Sequence, residues 1–231
     1  MFTQGLNYTE SELFCDELIH GGQSDWRMPN FLEFASFSAY DLYGNIGIFV
    51  GAYTSTRIPN GNHAYLFAAF SGWNIAGSTS FDVFCVRGTS TIPMITGYEE
   101  SKNFVDNTDG TVTDTDTNLM WQADRTASGF LTWNASIAYC NDLTLASHTD
   151  WRLPTAFEVM TGADYGCTGS GGGCVSQGVS EPFIPWGDWV WTSTTTPANQ
   201  NRAIRLNGNF YFQGSAADKT DTLRAFCVRD M

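Results

Sequence analysis

The segment from Glu181 to Trp191 contains the residue types best suited to binding a ligand. It combines two carboxylates, Glu181 and Asp188, with two indole rings, Trp186 and Trp189. An indole face stacks on a sugar ring or anchors a protein partner, and a nearby carboxylate accepts hydrogen bonds from hydroxyl groups. We therefore predict a ligand-binding site at Glu181, Trp186, Asp188 and Trp189. The alternative is that these Trp side chains only fill the core of an irregular loop.

A cluster of acidic residues near the middle of the chain offers a weak calcium site at Asp106, Asp109 and Asp114. Calcium prefers several hard oxygen ligands, but the twelve-residue calcium loop also requires a Glu at its last position, and none follows here. Asp109-Gly110 between alternating apolar residues instead predicts the turn of a β-hairpin. We expect no cofactor, with calcium as the less favoured alternative.

The residues that often catalyse reactions have no arrangement that gives them roles. His20, His63 and His148 stand at unrelated positions without the spacing of a metal site. Glu33 and Glu158 could act as general bases, but each stands three residues after a helix-capping residue, where a structural role is expected. No combination of residues assembles a catalytic triad. The sequence therefore predicts a protein that is not an enzyme.

The charge balance excludes two classes of partner. The 231 residues carry 24 Asp and Glu against 11 Lys and Arg, a net charge of -13. Neutralisation of nucleic-acid phosphates and attraction to anionic membranes both require the opposite charge. No apolar run approaches the roughly 18 residues that span a bilayer, so we expect no membrane insertion. The first ten residues have neither a basic stretch nor an apolar core, so we expect no signal peptide there.

An internal repeat divides the chain. Asp-Trp-Arg-Met-Pro at 25–29 recurs as Asp-Trp-Arg-Leu-Pro at 150–154, an offset of 125 residues that also relates Cys15 to Cys140. Phe-Cys-Val-Arg at 84–87 recurs at 226–229. Such self-similarity predicts two homologous units. We predict a first unit over 1–88 that lacks its opening hairpin, a linker over 89–103, and a complete unit over 104–231.

The elements that must position these residues follow the same order in each unit. Capping pairs predict two helices per unit. Thr9 with Glu12 predicts a helix over about 10–19, with a counterpart over about 133–143; Asn30 with Glu33, and Thr155 with Glu158, open the second helices. Strands are predicted over 48–55, 63–70, 81–87, 188–194, 202–206, 209–213 and 223–229. Two early helices and a late antiparallel sheet make each unit α+β.

The repeated Asp-Trp-Arg-x-Pro motif has a structural interpretation. Trp26 and Trp151 are predicted to be core aromatics. Arg27 and Arg152 are predicted to bond a carboxylate or backbone carbonyls and so fix the turn, because a turn restricted by Pro needs satisfied polar groups.

Six Cys residues suggest an oxidising compartment, and six can pair in 15 ways. The repeat favours bridges within each unit, with an additional bridge that closes a short glycine-rich loop. The favoured pairs are Cys15 with Cys85, Cys140 with Cys227, and Cys167 with Cys174. Pairs exchanged between the units also respect the repeat.

The second unit contains an ordered set of motifs: Phe-Val-Asp-Asn-Thr-Asp-Gly-Thr-Val-Thr-Asp from 104, Leu-Met-Trp-Gln from 119, Asp-Trp-Arg-Leu-Pro-Thr from 150, Trp-Thr-Ser-Thr from 191 and Cys-Val-Arg from 227. This set resembles the Legionella collagen-like protein C-terminal domain family. The first unit matches from Leu6 to Arg87 without the front motif, which predicts two tandem copies. The resemblance implies a C-type-lectin-like fold with a disulfide from the first helix to the last strand. It also implies an extracellular bacterial protein that binds, with a namesake adhesin that recognises sulfated polysaccharides.

The charge of this chain departs from that of a sulfated-glycan binder. The first unit has three basic residues against eight acidic, whereas sulfate recognition needs clustered Arg or Lys. The leading interpretation is therefore a secreted or cell-surface bacterial adhesion module that binds a glycan or a surface protein. The alternative is a structural subunit of a fibre that self-assembles by strand addition at an edge near Phe81 to Arg87, left open by the absent hairpin. A hairpin lying upstream of Met1 would explain the same absence.

Overall fold

The computed structural model describes residues 2–30, 33–34, 52–57, 63–68, 71–76, 80–89, 103–124, 126–161, 188–196, 199–207 and 213–231. The chain divides into two compact units, Met1–Glu100 and Ser101–Met231. This division falls within the predicted linker 89–103. Most of that linker lies outside the described residues, so its extent stays a prediction.

Unit 1 has one described helix and two sheets. The elements, in chain order, are β1 Phe2–Leu6, α1 Tyr8–Asp16, β2 Trp26–Arg27, β3 Ala52–Arg57, β4 His63–Ala68, β5 Ser71–Ala76, β6 Phe81–Val83 and β7 Val86–Arg87. The larger sheet has the order β1-β6-β3-β4-β5, and β2 pairs with β7. All neighbours are antiparallel except β3 and β6, which are parallel.

Unit 2 has two described helices and two sheets. The elements are β8 Phe104–Asp106, β9 Thr111–Asp114, β10 Leu119–Gln122, β11 Phe130–Leu131, α2 Trp133–Asn141, α3 Ala156–Thr161, β12 Val190–Thr196, β13 Asn199–Asn207, β14 Gln213–Asp218, β15 Leu223–Arg224 and β16 Val228–Asp230. One sheet has the order β14-β13-β12-β15-β11, and the other has the order β16-β10-β9-β8.

The strand orders of the two units correspond. β1-β6-β3-β4-β5 of unit 1 matches β11-β15-β12-β13-β14 of unit 2, and the inner parallel pair recurs as β12 with β15. The predicted combination of few helices with antiparallel sheets is therefore present. The strands β8, β9 and β10 have no counterpart among the residues described in unit 1.

The first helix begins earlier than predicted. The capping box is formed by Asn7 and Glu10, not by Thr9 and Glu12: the Asn7 side chain accepts the Glu10 N–H at 3.0 Å, and the Glu10 carboxylate accepts the Asn7 N–H at 2.9 Å. These reciprocal bonds satisfy two backbone donors that a helix start leaves open, so the helix begins at Tyr8. It ends at Asp16, short of the predicted residue 19. In unit 2, α2 begins at Trp133 as predicted.

The second helix starts were predicted correctly. Asn30 and Glu33 exchange backbone-to-side-chain hydrogen bonds of 2.9 and 2.7 Å. Thr155 and Glu158 do the same at 2.8 and 3.1 Å.

The last predicted strand of each unit is broken into two. In unit 1, β6 pairs with β1 and β3, whereas β7 pairs with β2 in a separate sheet. The chain therefore changes sheets between Val83 and Val86, and the equivalent change in unit 2 lies between β15 and β16. The sequence of residues 81–87 and 223–229 gives no turn signal at this break, since neither segment contains Gly or Pro.

The predicted strand 209–213 lies outside the described residues except for residue 213. That residue begins β14, Gln213–Asp218, where small residues such as Ala216 and Ala217 pair with β13. These residues have low strand propensity, but packing against neighbours decides strand position more than propensity does. The strands β1 and β5 were not predicted.

Each unit has its own core. The unit 2 core includes Trp151 and Trp191 around the Cys140 and Cys227 bridge. The unit 1 core contains Tyr53, whose ring meets those of Tyr8 and Phe81 edge to face at 5.5 and 5.2 Å.

Trp151 is only 2% exposed, as predicted. Trp26 is only half-buried, so its prediction as a core residue was wrong. In unit 2, Met120 of β10 packs against the cluster that contains Trp151, and unit 1 has no described strand in that place.

The disulfides Cys15–Cys85 and Cys140–Cys227 are formed, each with a Cα–Cα distance of 5.5 Å. They join the first helix to the segment around the last strand of the same unit, as the repeat favoured. The predicted bridge of Cys167 and Cys174 lies outside the described residues.

Candidate functional site

The Arg of the repeated Asp-Trp-Arg-x-Pro motif forms an ion-pair clamp with a Glu six residues later in each unit. In unit 1, both terminal nitrogens of Arg27 bond the carboxylate of Glu33, at 2.7 and 2.6 Å. Arg27 Nε also donates to the Gly88 carbonyl at 2.9 Å. The hydrogen bonds that Arg27 donates to the Glu33 carboxylate raise the pKa of Arg27. The prediction that this Arg fixes the turn is confirmed.

The clamp of unit 2 is more extensive. Arg152 bonds both carboxylate oxygens of Glu158 at 2.8 and 2.7 Å, and it also bonds Asp230 at 2.9 Å. Burial alone would raise the pKa of Glu158, but hydrogen bonds from Arg152 and Thr155 outweigh it and leave that pKa below its ordinary value. Glu158 is therefore held as an anion with its acceptor sites occupied, which is the structural role predicted for it.

A second ion pair in each unit was missed by the sequence analysis. Asp25 bonds Arg87 at 3.0 Å, and Asp150 bonds Arg229 at 2.8 Å. The hydrogen bond from its Arg partner lowers the pKa of each Asp. These pairs join the first residue of the Asp-Trp-Arg-x-Pro motif to the last strand. The signal was available, since Asp and Arg recur at the same places in both units.

The predicted ligand-binding residues that the structure describes are Asp188 and Trp189, directly before β12. The Asp188 carboxylate is 48% exposed and accepts a hydrogen bond of 2.8 Å from Arg224 Nε of β15. Trp189 is half-buried, and the Arg205 guanidinium of β13 lies 4.3 Å from its ring centroid. An arginine from each flanking strand therefore holds one of the two predicted residues.

Phe130 extends this surface. Its ring is 57% exposed and lies under the Arg224 guanidinium, with 4.3 Å between the guanidinium carbon and the ring centroid. Arg224 also donates to the Thr126 carbonyl at 3.2 Å. Cross-strand pairing explains the contact, because Phe130 stands directly opposite Arg224 in the β11 and β15 pair. We call Phe130, Asp188, Trp189, Arg205 and Arg224 the β12 surface.

The sequence analysis missed Phe130, Arg205 and Arg224. They come from three strands that are distant in the chain, and only the strand order β13-β12-β15-β11 places them around residues 188 and 189. Glu181 and Trp186, the other predicted members of the site, lie outside the described residues.

The calcium candidates serve as turn acceptors. Asp106 accepts the Thr108 N–H at 2.8 Å, and Asp109 accepts both the N–H and the hydroxyl of Thr111, at 3.0 and 2.6 Å. Asp114 is buried and accepts the Asp116 N–H at 3.1 Å.

These bonds support the predicted hairpin of β8 and β9, with its turn at Asp109-Gly110. Within the described ranges, no three His, Cys, Asp or Glu residues are grouped to hold a metal ion. In the same ranges, none of the helices has the length and apolar character to cross a membrane.

Comparison with known proteins identifies the family. Residues 110–229 match the Lcl C-terminal domain family. No curated protein matches the chain, and no solved structure matches it. The matched region contains the clamp of Arg152 and Glu158, the Cys140–Cys227 bridge and the whole β12 surface. Family membership is consistent with a surface-associated module. Because the match covers more than half of its 231 residues, the chain belongs to the Lcl C-terminal domain family.

Proposed function

We propose that this protein is an extracellular bacterial adhesion module, without enzymatic activity, that binds a glycan through the β12 surface. The observation that carries the proposal is the combination of an exposed phenyl ring at Phe130 with the exposed carboxylate of Asp188, joined by the Arg224 guanidinium. Aromatic faces pack on sugar rings, while carboxylate and guanidinium groups bond hydroxyls. The two disulfides support an oxidising compartment such as the cell exterior.

Most of the arginines described in unit 2 are already paired with carboxylates, which favours a neutral glycan over a sulfated one as the ligand. In the described part of unit 2, four arginines are ion-paired with carboxylates: Arg152, Arg202, Arg224 and Arg229. Arg205 lies over Trp189 and bonds the Ser215 hydroxyl at 2.9 Å. A sulfate group would have to displace a carboxylate from each paired arginine, which costs the energy of an existing charge-assisted hydrogen bond.

We also propose that the two units are tandem copies of one C-type-lectin-like fold. The matching strand orders, the equivalent disulfides and the repeated clamp support a duplication. A further parallel is the bond from the Ser55 N–H to the Pro29 carbonyl at 2.8 Å, which recurs between Ser193 and Pro154 at 2.7 Å.

A glycan array tests the proposed function. The protein is applied at low and high salt, with and without calcium, beside the variants Asp188→Asn and Phe130→Ala. We expect binding to neutral glycans to persist at high salt, because stacking on an aromatic ring is not screened by ions. Binding should fall at least tenfold in both variants, because each lacks one of the groups that contact the glycan. Asp221→Asn, which changes an exposed carboxylate on another turn, is the matched control and should bind normally. Binding only to sulfated glycans, or equal binding by all variants, would overturn the proposal.

A second candidate function is a structural subunit completed by strand addition. The predicted edge near Phe81 to Arg87 needs correction, because Phe81–Val83 is paired on both sides, by β1 and by β3. The observation that favours this function is that β7 is paired on one side, by β2, and by no other strand among the described residues. An incomplete strand edge is a template for a strand from another chain. Concentration-dependent polymers seen in analytical ultracentrifugation would support this function, and a monomer at every concentration would exclude it.

A further inference from the structure

In unit 2, the open edge of the last strand, β16, is covered by β10, and this arrangement shows what a complete edge looks like. β16 bonds Arg152 on one side and β10 on the other, with Trp121 opposite Val228 and Met120 opposite Arg229. The Trp121 ring stacks on Phe226, with 5.0 Å between centroids and 20° between planes. Met120 packs on the opposite face, against the cluster that contains Trp151.

Two successive residues of β10 thus cover the two faces of the last strand. This follows from strand geometry, since neighbouring side chains point to opposite faces and cross-strand partners share a face. As a result Phe226, Val228, Trp121 and Trp151 are each at most 2% exposed.

In unit 1 the same two faces are partly open. Phe84 and Val86, which correspond to Phe226 and Val228, are half-buried, and Trp26, which corresponds to Trp151, is half-buried as well. Phe84 meets the Phe34 ring at 5.2 Å, but no described strand lies over it from the β7 side. The apolar surface that remains in unit 1 is therefore the surface that Met120 and Trp121 cover in unit 2.

We propose that β7 accepts an antiparallel β-strand donated by another polypeptide chain, with a large apolar residue followed directly by an aromatic residue. The aromatic side chain seats on Phe84, and the preceding residue covers Trp26. The proposal rests on the second candidate function and names its acceptor site and the chemistry of its donor. The hairpin of unit 2 supplies the template for both the register and the residue types.

The backbone of β7 has groups placed for this bonding. In unit 2, Val228 exchanges both of its backbone bonds with Arg152 at 2.9 Å, so the groups of Arg229 face β10, and the Cys227 carbonyl accepts the Gln122 N–H at 3.0 Å. In unit 1, Val86 stands opposite Arg27, the pair that corresponds to Val228 and Arg152 of unit 2. From that correspondence and the alternation of an antiparallel pair, we infer that the N–H and carbonyl of Arg87 face the open side. A donated strand would bond these groups.

A labelled peptide of the chain's own β9 and β10 hairpin, residues 109–124, tests the proposal. The peptide is titrated into the full 231-residue protein and binding is followed by fluorescence anisotropy, while hydrogen exchange follows the amides of residues 85–88. We expect saturable binding and slower exchange at Arg87. A peptide with Trp121→Ala should bind at least tenfold more weakly, because it lacks the ring that seats on Phe84.

Two protein variants form a matched pair. Arg87→Pro removes the backbone N–H on the open side and should abolish peptide binding. Arg87→Ala keeps the N–H but removes the ion pair with Asp25, so it should weaken peptide binding far less than Arg87→Pro does. Circular dichroism checks that both variants are folded. If Arg87→Pro is unfolded, the Trp121→Ala peptide still tests the proposed site, because it is measured on the unchanged protein.

Three results would overturn the proposal: no exchange protection of the Arg87 amide with saturating peptide, equal binding of both peptides, or an Arg87 amide already protected without peptide. The last result would mean that the chain covers its own edge. Peptide binding by a protein that remains monomeric at all concentrations would support the acceptor site while excluding the assembly function. Polymers without peptide binding would place assembly at another surface and exclude this site.

Discussion

Replacement of Glu158 by Gln tests the view that the Arg152 clamp is structural. The change keeps the shape of the side chain and removes its charge. Glu158 accepts two hydrogen bonds from Arg152 and two from Thr155, between 2.7 and 3.0 Å. Three of these bonds end on Oε2 and one on Oε1, so a Gln whose amide oxygen takes the place of Oε2 loses one bond, and the other three lose their charged acceptor.

The expected loss of stability follows from the exposure of the pair. A hydrogen bond to a charged group contributes about 1.5–3 kcal/mol when buried. The side chains of Arg152 and Glu158 are 34% and 19% exposed, so solvent screening reduces each contribution. One bond lost and three bonds that lose their charged acceptor, each at roughly half strength, give about 2 kcal/mol. The remaining bond of Arg152 to Asp230 limits the loss, because the guanidinium keeps one carboxylate partner.

The effect should disappear in acid. The pKa of Glu158 lies below its ordinary value of 4.5 in the folded protein, so the carboxylate stabilises the fold at every pH above that value. This stabilisation is lost as the pH falls through the pKa of Glu158 in the folded protein, because the carboxyl group is then protonated in both the folded and the unfolded state. The difference between the wild type and Glu158→Gln should therefore be constant from pH 7 to about pH 5 and shrink below pH 4.5.

Urea unfolding followed by Trp fluorescence at pH 7, 5, 4 and 3 measures this difference. Asp221→Asn is the control for the loss of one exposed carboxylate, and it should change the free energy of unfolding little at any pH. A loss under about 0.5 kcal/mol at pH 7, the range of an ordinary surface substitution, would refute the structural role. A difference that stays unchanged down to pH 3 would refute the assignment of the effect to the ionised carboxylate.

Three other changes have expected outcomes in the same unfolding assay. Cys140→Ser with Cys227→Ser opens a bridge between residues 87 positions apart and should cost about 4.6 kcal/mol from chain entropy, and a loss below 1 kcal/mol would contradict that estimate. Trp121→Ala removes a fully buried ring and should cost about 3–5 kcal/mol, with a small effect indicating that β10 is dispensable. Gly110→Ala places a side chain at φ 88° in the hairpin turn and should cost about 1–2 kcal/mol, whereas no effect would mean that the turn rearranges.

The sequence was sufficient where one local pattern determines one structure. The capping pairs of Asn30 with Glu33 and Thr155 with Glu158 depend on a spacing of three residues, and both are formed. The hairpin turn at Asp109-Gly110 is equally local. The disulfides were favoured because the repeat places one Cys in the first helix and one near the last strand of each unit, although the two pairs are 70 and 87 residues apart.

The sequence was insufficient where the sheet order decides. Arg205 and Arg224 hold Trp189 and Asp188 because β13 and β15 flank β12, and no local spacing encodes that neighbourhood. The helix start at Asn7 was missed for a different reason. Asn7 with Glu10 and Thr9 with Glu12 are overlapping capping pairs of similar strength, and the first forms because it starts the helix at the buried Tyr8.

An ion pair holds the last strand in each unit, and in unit 1 it holds β7 in place before a donated strand binds. Asp150 holds Arg229 in unit 2, where a hairpin covers the strand, and Asp25 holds Arg87 in unit 1, where no described strand does. The pair therefore fixes the last strand independently of the hairpin. The Cys15–Cys85 bridge and the bond from Arg27 to the Gly88 carbonyl fix the same segment. Because β7 is ordered by these contacts before any strand is added, binding has to order only the donor, which lowers the entropic cost of association.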